Sequence, residues 1–375
     1  MKKNKQIVPK QLKIAFGIYS AVFSACWVCL EPLGVFGLAD GFLKSHGVVG
    51  YLLLFTLPAG PALAYLVYKR WHPDLHPITI CQFHRCLPYL ALYVAEAKGF
   101  FRESGISVTF MESYGDHSAW NKVKNGEAEF GVADPLVMVT DPDTKGRVLA
   151  SILGKLSLDG LTRKPYLPMN SISDLNGKTI AVFERPSTSY MVAQKIAKEL
   201  QSKGGHITIR EMKPGTELTI LTDPEIDVVF TVDPTTTIAV DDGAHIVFSC
   251  SNIFGDCLTT GLFATEKFVK EYPDVVQRVV NAIERSLCFV REDPIGTLEV
   301  AAHFFPDSHN LSVERGTLRL LAESVIPKHS TILENSWQIC LRLRTEDKSF
   351  QYPFSDFVDN SFAARAVEDN RRRHE

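Results

Sequence analysis

Leu90 to Pro135 reads LALYVAEAKGFFRESGISVTFMESYGDHSAWNKVKNGEAEFGVADP, and the fold turns on this stretch. Leu92, Val94, Ala95 and Phe100 form an apolar stripe at helical spacing; Gly105 punctuates, and Ile106, Val108 and Phe110 then alternate as a strand does. A polar turn, a short helix and the apolar run Phe130 to Ala133 follow. Helix, strand, helix, strand is the order of βα winding. In open parallel α/β sheets the ligand crevice lies beyond the carboxyl ends of the strands, where the next helices begin. Residues 114–118 and 134–135 are therefore expected to face a ligand, which makes Tyr114, Asp116, His117 and Asp134 candidate contacts.

Four short motifs in this order resemble the solute-binding proteins of nitrate, sulfonate, taurine and thiamine-precursor uptake, and the thiamine-pyrimidine synthases of similar fold. They are Tyr93-Val94-Ala95, Lys98-Gly99-Phe100-Phe101, Gly105-Ile106-Ser107-Val108 and Asn125 through Pro135. The resemblance extends over roughly residues 76–300. It implies an α/β, two-lobed, periplasmic-binding-protein-like fold of type II with two crossovers, in which a small-molecule solute binds between the lobes. It also implies an ABC transporter permease as partner.

The totals agree with a globular protein. The chain has 375 residues, 45% hydrophobic and 22% charged, with a formal net charge of -3. Lys2, Lys3, Lys5, Lys10 and Lys13 crowd the beginning and Arg371 to Arg373 the end, but no extended basic face appears, so a nucleic-acid partner is not expected. The eight cysteines form no metal pattern, and no cofactor is called for. Cys26 and Cys29 make a CxxC inside an apolar run, where helix packing is the simpler role. Cys250 and Cys257 flank a loop, either as a pair in an oxidising compartment or as two free thiols.

Residues 14–30 and 48–68 contain no charge, and the first run is short for a span unless it continues past Glu31-Pro32 toward Ala39. A bilayer-spanning helix needs about 20 apolar residues, so a transmembrane hairpin is expected over 14–70, with segments 14–39 and 48–68. Lysines before the first segment, and Lys69 and Arg70 after the second, place both flanks inside by the positive-inside rule. The soluble part then faces the cytoplasm, whereas an uptake role requires the outer face of the cell (inner) membrane; the sequence leaves both sides open. The expected organisation is a basic N-terminus (1–13), the hairpin, a first lobe (76–162), a second lobe (163–256) and a return to the first lobe with C-terminal helices (257–375).

The strand at 78–82 ends in Gln82, and the loop 83–89 carries His84 and Tyr89. The resembling proteins have a histidine three residues before the leucine of LYVA; here that position is Tyr89, and a histidine's role cannot be carried over. Asp116 stands in the family's glycine- and serine-rich turn, either as a ligand contact that favours an amine-bearing solute or as a helix cap. Leu161 to Lys164 resembles the point of entry into the second lobe. Asn176 to Val182 matches the family's next strand, and the loop after it carries Ser187, Thr188 and Ser189 at a helix start. Three hydroxyls there either donate to a ligand or cap the helix. Asp233, in Thr231-Val232-Asp233-Pro234, is a second candidate carboxylate, and Thr259 opens the strand that returns to the first lobe.

No nucleophile elbow, phosphate-loop lysine or metal spacing accompanies these residues, so the chain reads as a binding protein rather than an enzyme. Two alternatives stand beside it. One is a membrane-tethered sensor with a cytoplasmic binding domain. The other is a synthase of the same fold, whose nearby cysteine cluster and loop histidine are not seen here.

Overall fold

The computed structural model describes residues 75–375 apart from 186, 307, 309 and 345–351. The expected hairpin segments, 14–39 and 48–68, lie outside the described residues; among these, no helix is long and apolar enough to cross a membrane.

β1 (His76–Gln82) opens the first sheet. A 3-10 turn at Leu87–Tyr89 leads into α1 (Leu90–Ala97) and α2 (Phe100–Glu103). The single helical stripe read from the sequence is thus two helices, broken at Gly99, whose φ of +74° suits glycine. β2 (Ile106–Glu112), α3 (Asp116–Lys124), β3 (Phe130–Ala133), α4 (Leu136–Val139) and β4 (Gly146–Lys155) follow. The chain then crosses to a second sheet through β5 (Asp159–Thr162). There it forms β6 (Thr179–Phe183), α5 (Thr188–Ser202), β7 (Thr208–Met212), α6 (Glu217–Ile220), β8 (Val228–Thr231), α7 (Thr235–Asp241), β9 (His245–Ser249) and α8 (Cys250–Phe254). β10 (Asp256–Thr265) carries it back. Seven helices complete the described chain: α9 (Glu266–Glu271), α10 (Pro273–Glu292), α11 (Pro294–Phe304), α12 (Asn310–Ala322), α13 (Glu334–Arg344), α14 (Phe354–Phe357) and, last, α15 (Ser361–His374), α14 being a single turn.

The strand orders are β2-β1-β3-β10-β4 and β7-β6-β8-β5-β9. In each sheet the first three strands are parallel, and the fourth is the crossing strand, antiparallel to its neighbours. Each lobe is therefore a βαβ wind closed by a strand exchanged with the other. The first crossing falls at residues 156–158, earlier than the expected 161–164, because β5 already pairs with β8 and β9 from Asp159 onward. Close packing at that strand requires a glycine: a Cβ on Gly160 would lie 2.8 Å from Val228 Cγ1 and 2.9 Å from Phe248 Cβ.

The apolar pattern drives the layers together. On α10, Val276, Val279, Val280, Ile283, Leu287 and Val290 are all fully buried against the first sheet's core. Each such side chain contributes about 1.5–3 kcal/mol when taken out of water. Ile180, Val182, Val192, Ile196 and Leu200 do the same for the second lobe.

Candidate functional site

A cavity of about 80 Å³ lies where the two sheets' strand ends meet. The first lobe lines it with Phe83, His84, Cys86, Pro88, Tyr89 and Asp116, and the second with Phe183, Ser187, Thr188, Ser189 and Val232. The crossings add Leu153, Leu156, Ser157, Leu158, Thr259 and Thr260. That volume holds about half a dozen waters, well below the roughly 300–1,000 Å³ of a drug-sized ligand site. The lobes are close together: Phe83 and Phe183 face each other across the cleft with ring centroids 6.2 Å apart.

Asp116 is the first residue of α3 and is buried, but its side chain does not cap that helix. Its Oδ1 accepts the backbone N–H of Asp134 at 3.2 Å, and its Oδ2 lies 3.2 Å from Thr188 Oγ1. Thr188 Oγ1 also lies 3.3 Å from Asp134 Oδ2. A hydroxyl has one proton, so it donates to one carboxylate at a time. These contacts join the lobes at the cavity wall. Ser187 is the α5 N-cap: its Oγ accepts from Tyr190 N at 3.2 Å and donates to Phe183 O at 2.8 Å. Ser189 Oγ accepts from Phe183 N at 3.1 Å. Two of the three hydroxyls thus hold their own loop in shape, and Thr188 reaches across. Tyr89 is hydrogen-bonded to Thr260, and burial pushes its phenol up.

Seven of the twelve sequence candidates line this cavity: His84, Tyr89, Asp116, Ser187, Thr188, Ser189 and Thr259. Asp134 stands behind Asp116 and caps α4 through Leu136 N at 3.0 Å. Gln82 is buried and accepts from Tyr93 Oη at 3.1 Å, turned into the first lobe. Tyr114 is 63% exposed and bonds Glu112 at 2.6 Å, and His117 is exposed on the outer turn of α3. The lining residues missed were mainly apolar or aromatic, Phe83, Phe183 and Val232 among them; each sits beside a residue that had been singled out. Thr260 was legible as Thr259's neighbour.

Asp233 requires a correction. Its carboxylate faces away from the cavity, fully buried, into a cluster built by α12. Arg319 Nη2 bonds both Asp233 and, at 2.7 Å, Asp159 of β5, while Arg319 Nη1 reaches Glu323 at 3.2 Å. Thr237 adds its N–H at 3.1 Å and its hydroxyl at 2.6 Å to Asp233. One and two turns earlier on α12, Arg315 and Ser312 each bond Asp241 of α7 at 2.5 Å. Since α12 also packs on α11, which packs on α1, this helix fastens the second lobe to the first. Burial pushes the Asp159 carboxyl up to about 7; Arg319 opposes that shift and Asp233 adds to it. Cys250 and Cys257 are both free thiols.

Two sheets with exchanged strands around one cleft define a periplasmic-binding-protein-like fold, and solved structures agree. A protein from Bordetella bronchiseptica RB50 is 19% identical over 79% of this chain and 98% of its own, with a TM-score of 0.65. The ligand-binding component of an ABC-type import system from Staphylococcus aureus gives 16%, 78%, 99% and 0.64 in the same terms. The alkanesulfonate-binding protein SsuA from Xanthomonas axonopodis pv. citri gives 15%, 77%, 97% and 0.56. A search of curated proteins finds no match. Residues 88–296, more than half of the chain, match the family model described as NMT1/THI5 like, and the chain belongs to that family.

Proposed function

We propose that this chain is the binding component of an uptake system and holds a small polar, amine-bearing solute between its lobes without altering it. The observation that carries the reading is the cavity itself. Asp116 from one lobe and Thr188 from the other share it, two aromatic rings flank it, and among the described residues no lysine or arginine lines it. A carboxylate beside hydroxyls suits an ammonium or amino group, which it binds by charge-assisted hydrogen bonds. A sulfonate or nitrate would meet no lining cation there. The Phe83 and Phe183 rings are inclined at 52° with centroids 6.2 Å apart, so a flat ring enters between them only when the lobes part. Opening and closing of the lobes about the two crossings supplies that movement.

In this reading the segments 14–39 and 48–68 anchor the binding unit to the membrane, and an ABC permease is its partner. The lysine distribution favours a second reading, a tethered sensor facing the cytoplasm; a reporter fused after residue 200 distinguishes the two by the side on which it is active. A synthase reading draws on His84 and Cys86, which both line the cavity. Burial pushes the Cys86 thiol far up, however, which keeps it protonated and unreactive.

A thermal-shift screen of the full chain tests the proposal. Amine-bearing metabolites are expected to raise the melting temperature, with about 2.7 kcal/mol added at 100 times the dissociation constant. Recovery of the solute unchanged after incubation is the companion result. Stabilisation by sulfonates or nitrate alone would contradict the proposal.

A further inference from the structure

Away from the cleft, α10 carries Glu284 and Cys288 one turn apart, and the loop after α12 brings His329 against them. Glu284 is fully buried on the otherwise apolar face of its helix. His329 Nδ1 lies 2.8 Å from Glu284 Oε1, Cys288 Sγ lies 3.8 Å from the same oxygen, and the three donor atoms lie within 4.8 Å of one another. We propose that Glu284, Cys288 and His329 form a binding site for a borderline divalent cation such as zinc(II).

The donor set is the mixed oxygen, sulfur and nitrogen set that zinc takes, three protein ligands leaving a fourth position open. With usual zinc bond lengths, tetrahedral angles put N···O at about 3.4 Å and S···O at about 3.6 Å, so the first separation has to lengthen by about 0.6 Å and the second to shorten by about 0.2 Å. The surroundings orient the ligands as outer-shell partners do. Ser330 N donates to Glu284 Oε2 at 2.7 Å, and the sulfur lies 3.1 Å from Asn370 Nδ2 and 3.4 Å from Arg291 Nη2. Those contacts favour a thiolate. Burial, and after it the neighbouring Glu284 carboxylate, push the Cys288 thiol up, so loading the site releases the thiol proton to solvent. His329, half exposed, borders a cleft of about 560 Å³ from which water reaches the fourth position. The ion would tie α10 to the 325–332 loop, which itself bonds β4 through Ser151 N to Ser330 O at 2.7 Å.

The test uses the full chain with Cys26→Ser and Cys29→Ser, so that the CxxC pair contributes nothing. After dialysis against a chelator, calorimetric titration with zinc chloride is expected to give one ion per chain with proton release. Cys288→Ser and His329→Ala should each weaken binding by about 10- to 100-fold or more. Cobalt(II) should give a thiolate charge-transfer band that Cys288→Ser removes. His329→Ala changes an exposed side chain, so it reports on the site even where Cys288→Ser fails to fold. Zinc binding that neither substitution weakens, or a cobalt complex without the thiolate band, overturns the proposal.

Discussion

The boundary between the lobes is held in two places by acidic side chains, and the two are built differently. At the cleft, Asp116 and Asp134 meet a threonine hydroxyl and a backbone N–H, and the cavity beside them contains aromatic rings and further hydroxyls. At the α12 cluster, Asp159, Asp233 and Glu323 converge on the guanidinium of Arg319, with Arg315 on Asp241 nearby. A buried carboxylate next to a fixed arginine is already matched, so its task is to hold structure. Under the proposed function, the carboxylate at the wall of a cavity without a lining arginine or lysine among the described residues is the one that meets the solute. The same residue type thus joins the lobes at both points, by ion pairs at one and by hydroxyl and backbone hydrogen bonds at the other.

The largest effect expected from this contrast is on stability. Arg319→Ala leaves Asp159 and Asp233 buried without their cation and should cost about 3–5 kcal/mol in urea unfolding. A loss below about 1 kcal/mol would mean that α12 does not fasten the lobes. Next is the pH dependence of the same cluster. The Asp159 carboxyl, pushed up to about 7 from its usual 3.8, binds its proton more tightly folded than unfolded. Its contribution is therefore full below about pH 4 and declines as pH rises toward 7. Stability of the natural chain should fall between about pH 4 and 7 relative to Asp159→Asn, whose profile is flatter; parallel profiles would remove Asp159 as the titrating group. The smallest effect belongs to the cleft's own scaffold. Ser187→Ala removes the α5 cap and should cost about 1 kcal/mol, with solute affinity lowered only as far as the loop moves. If affinity is abolished while stability is kept, Ser187 is a direct ligand contact instead of a cap.

Much of this was legible in the sequence where the signal is local. The parallel strands β1, β2, β3 and β6 alternate or run apolar, and the turns after them carry the polar residues that reach the cavity. β5 was not legible, since four residues with one interior apolar side chain, Leu161, carry no periodicity, and its pairing comes from strands more than 60 residues on. Asp233 was misread for a related reason. Its turn sits at the right place in the winding, but the partner that claims its carboxylate is Arg319, 86 residues later on a helix whose own sequence gives no hint of it. Tyr114 and His117 lie in the turn the sequence pointed to but are exposed, while Asp116 between them is buried at the cavity wall. The Glu284, Cys288 and His329 cluster joins a helix face to a loop 41 residues away, a spacing no metal motif encodes.

The most direct test is titration calorimetry of one stabilising amine-bearing solute against the natural chain, Asp116→Asn and Asp233→Asn. Losing a charged hydrogen-bond acceptor costs about 1.5–3 kcal/mol, so Asp116→Asn should weaken binding by about 10- to 100-fold. Asp233→Asn, which changes the fastening cluster and not the cavity wall, should bind within about three-fold of the natural chain. Equal affinity in Asp116→Asn, or a loss confined to Asp233→Asn, would contradict the assignment of the cleft.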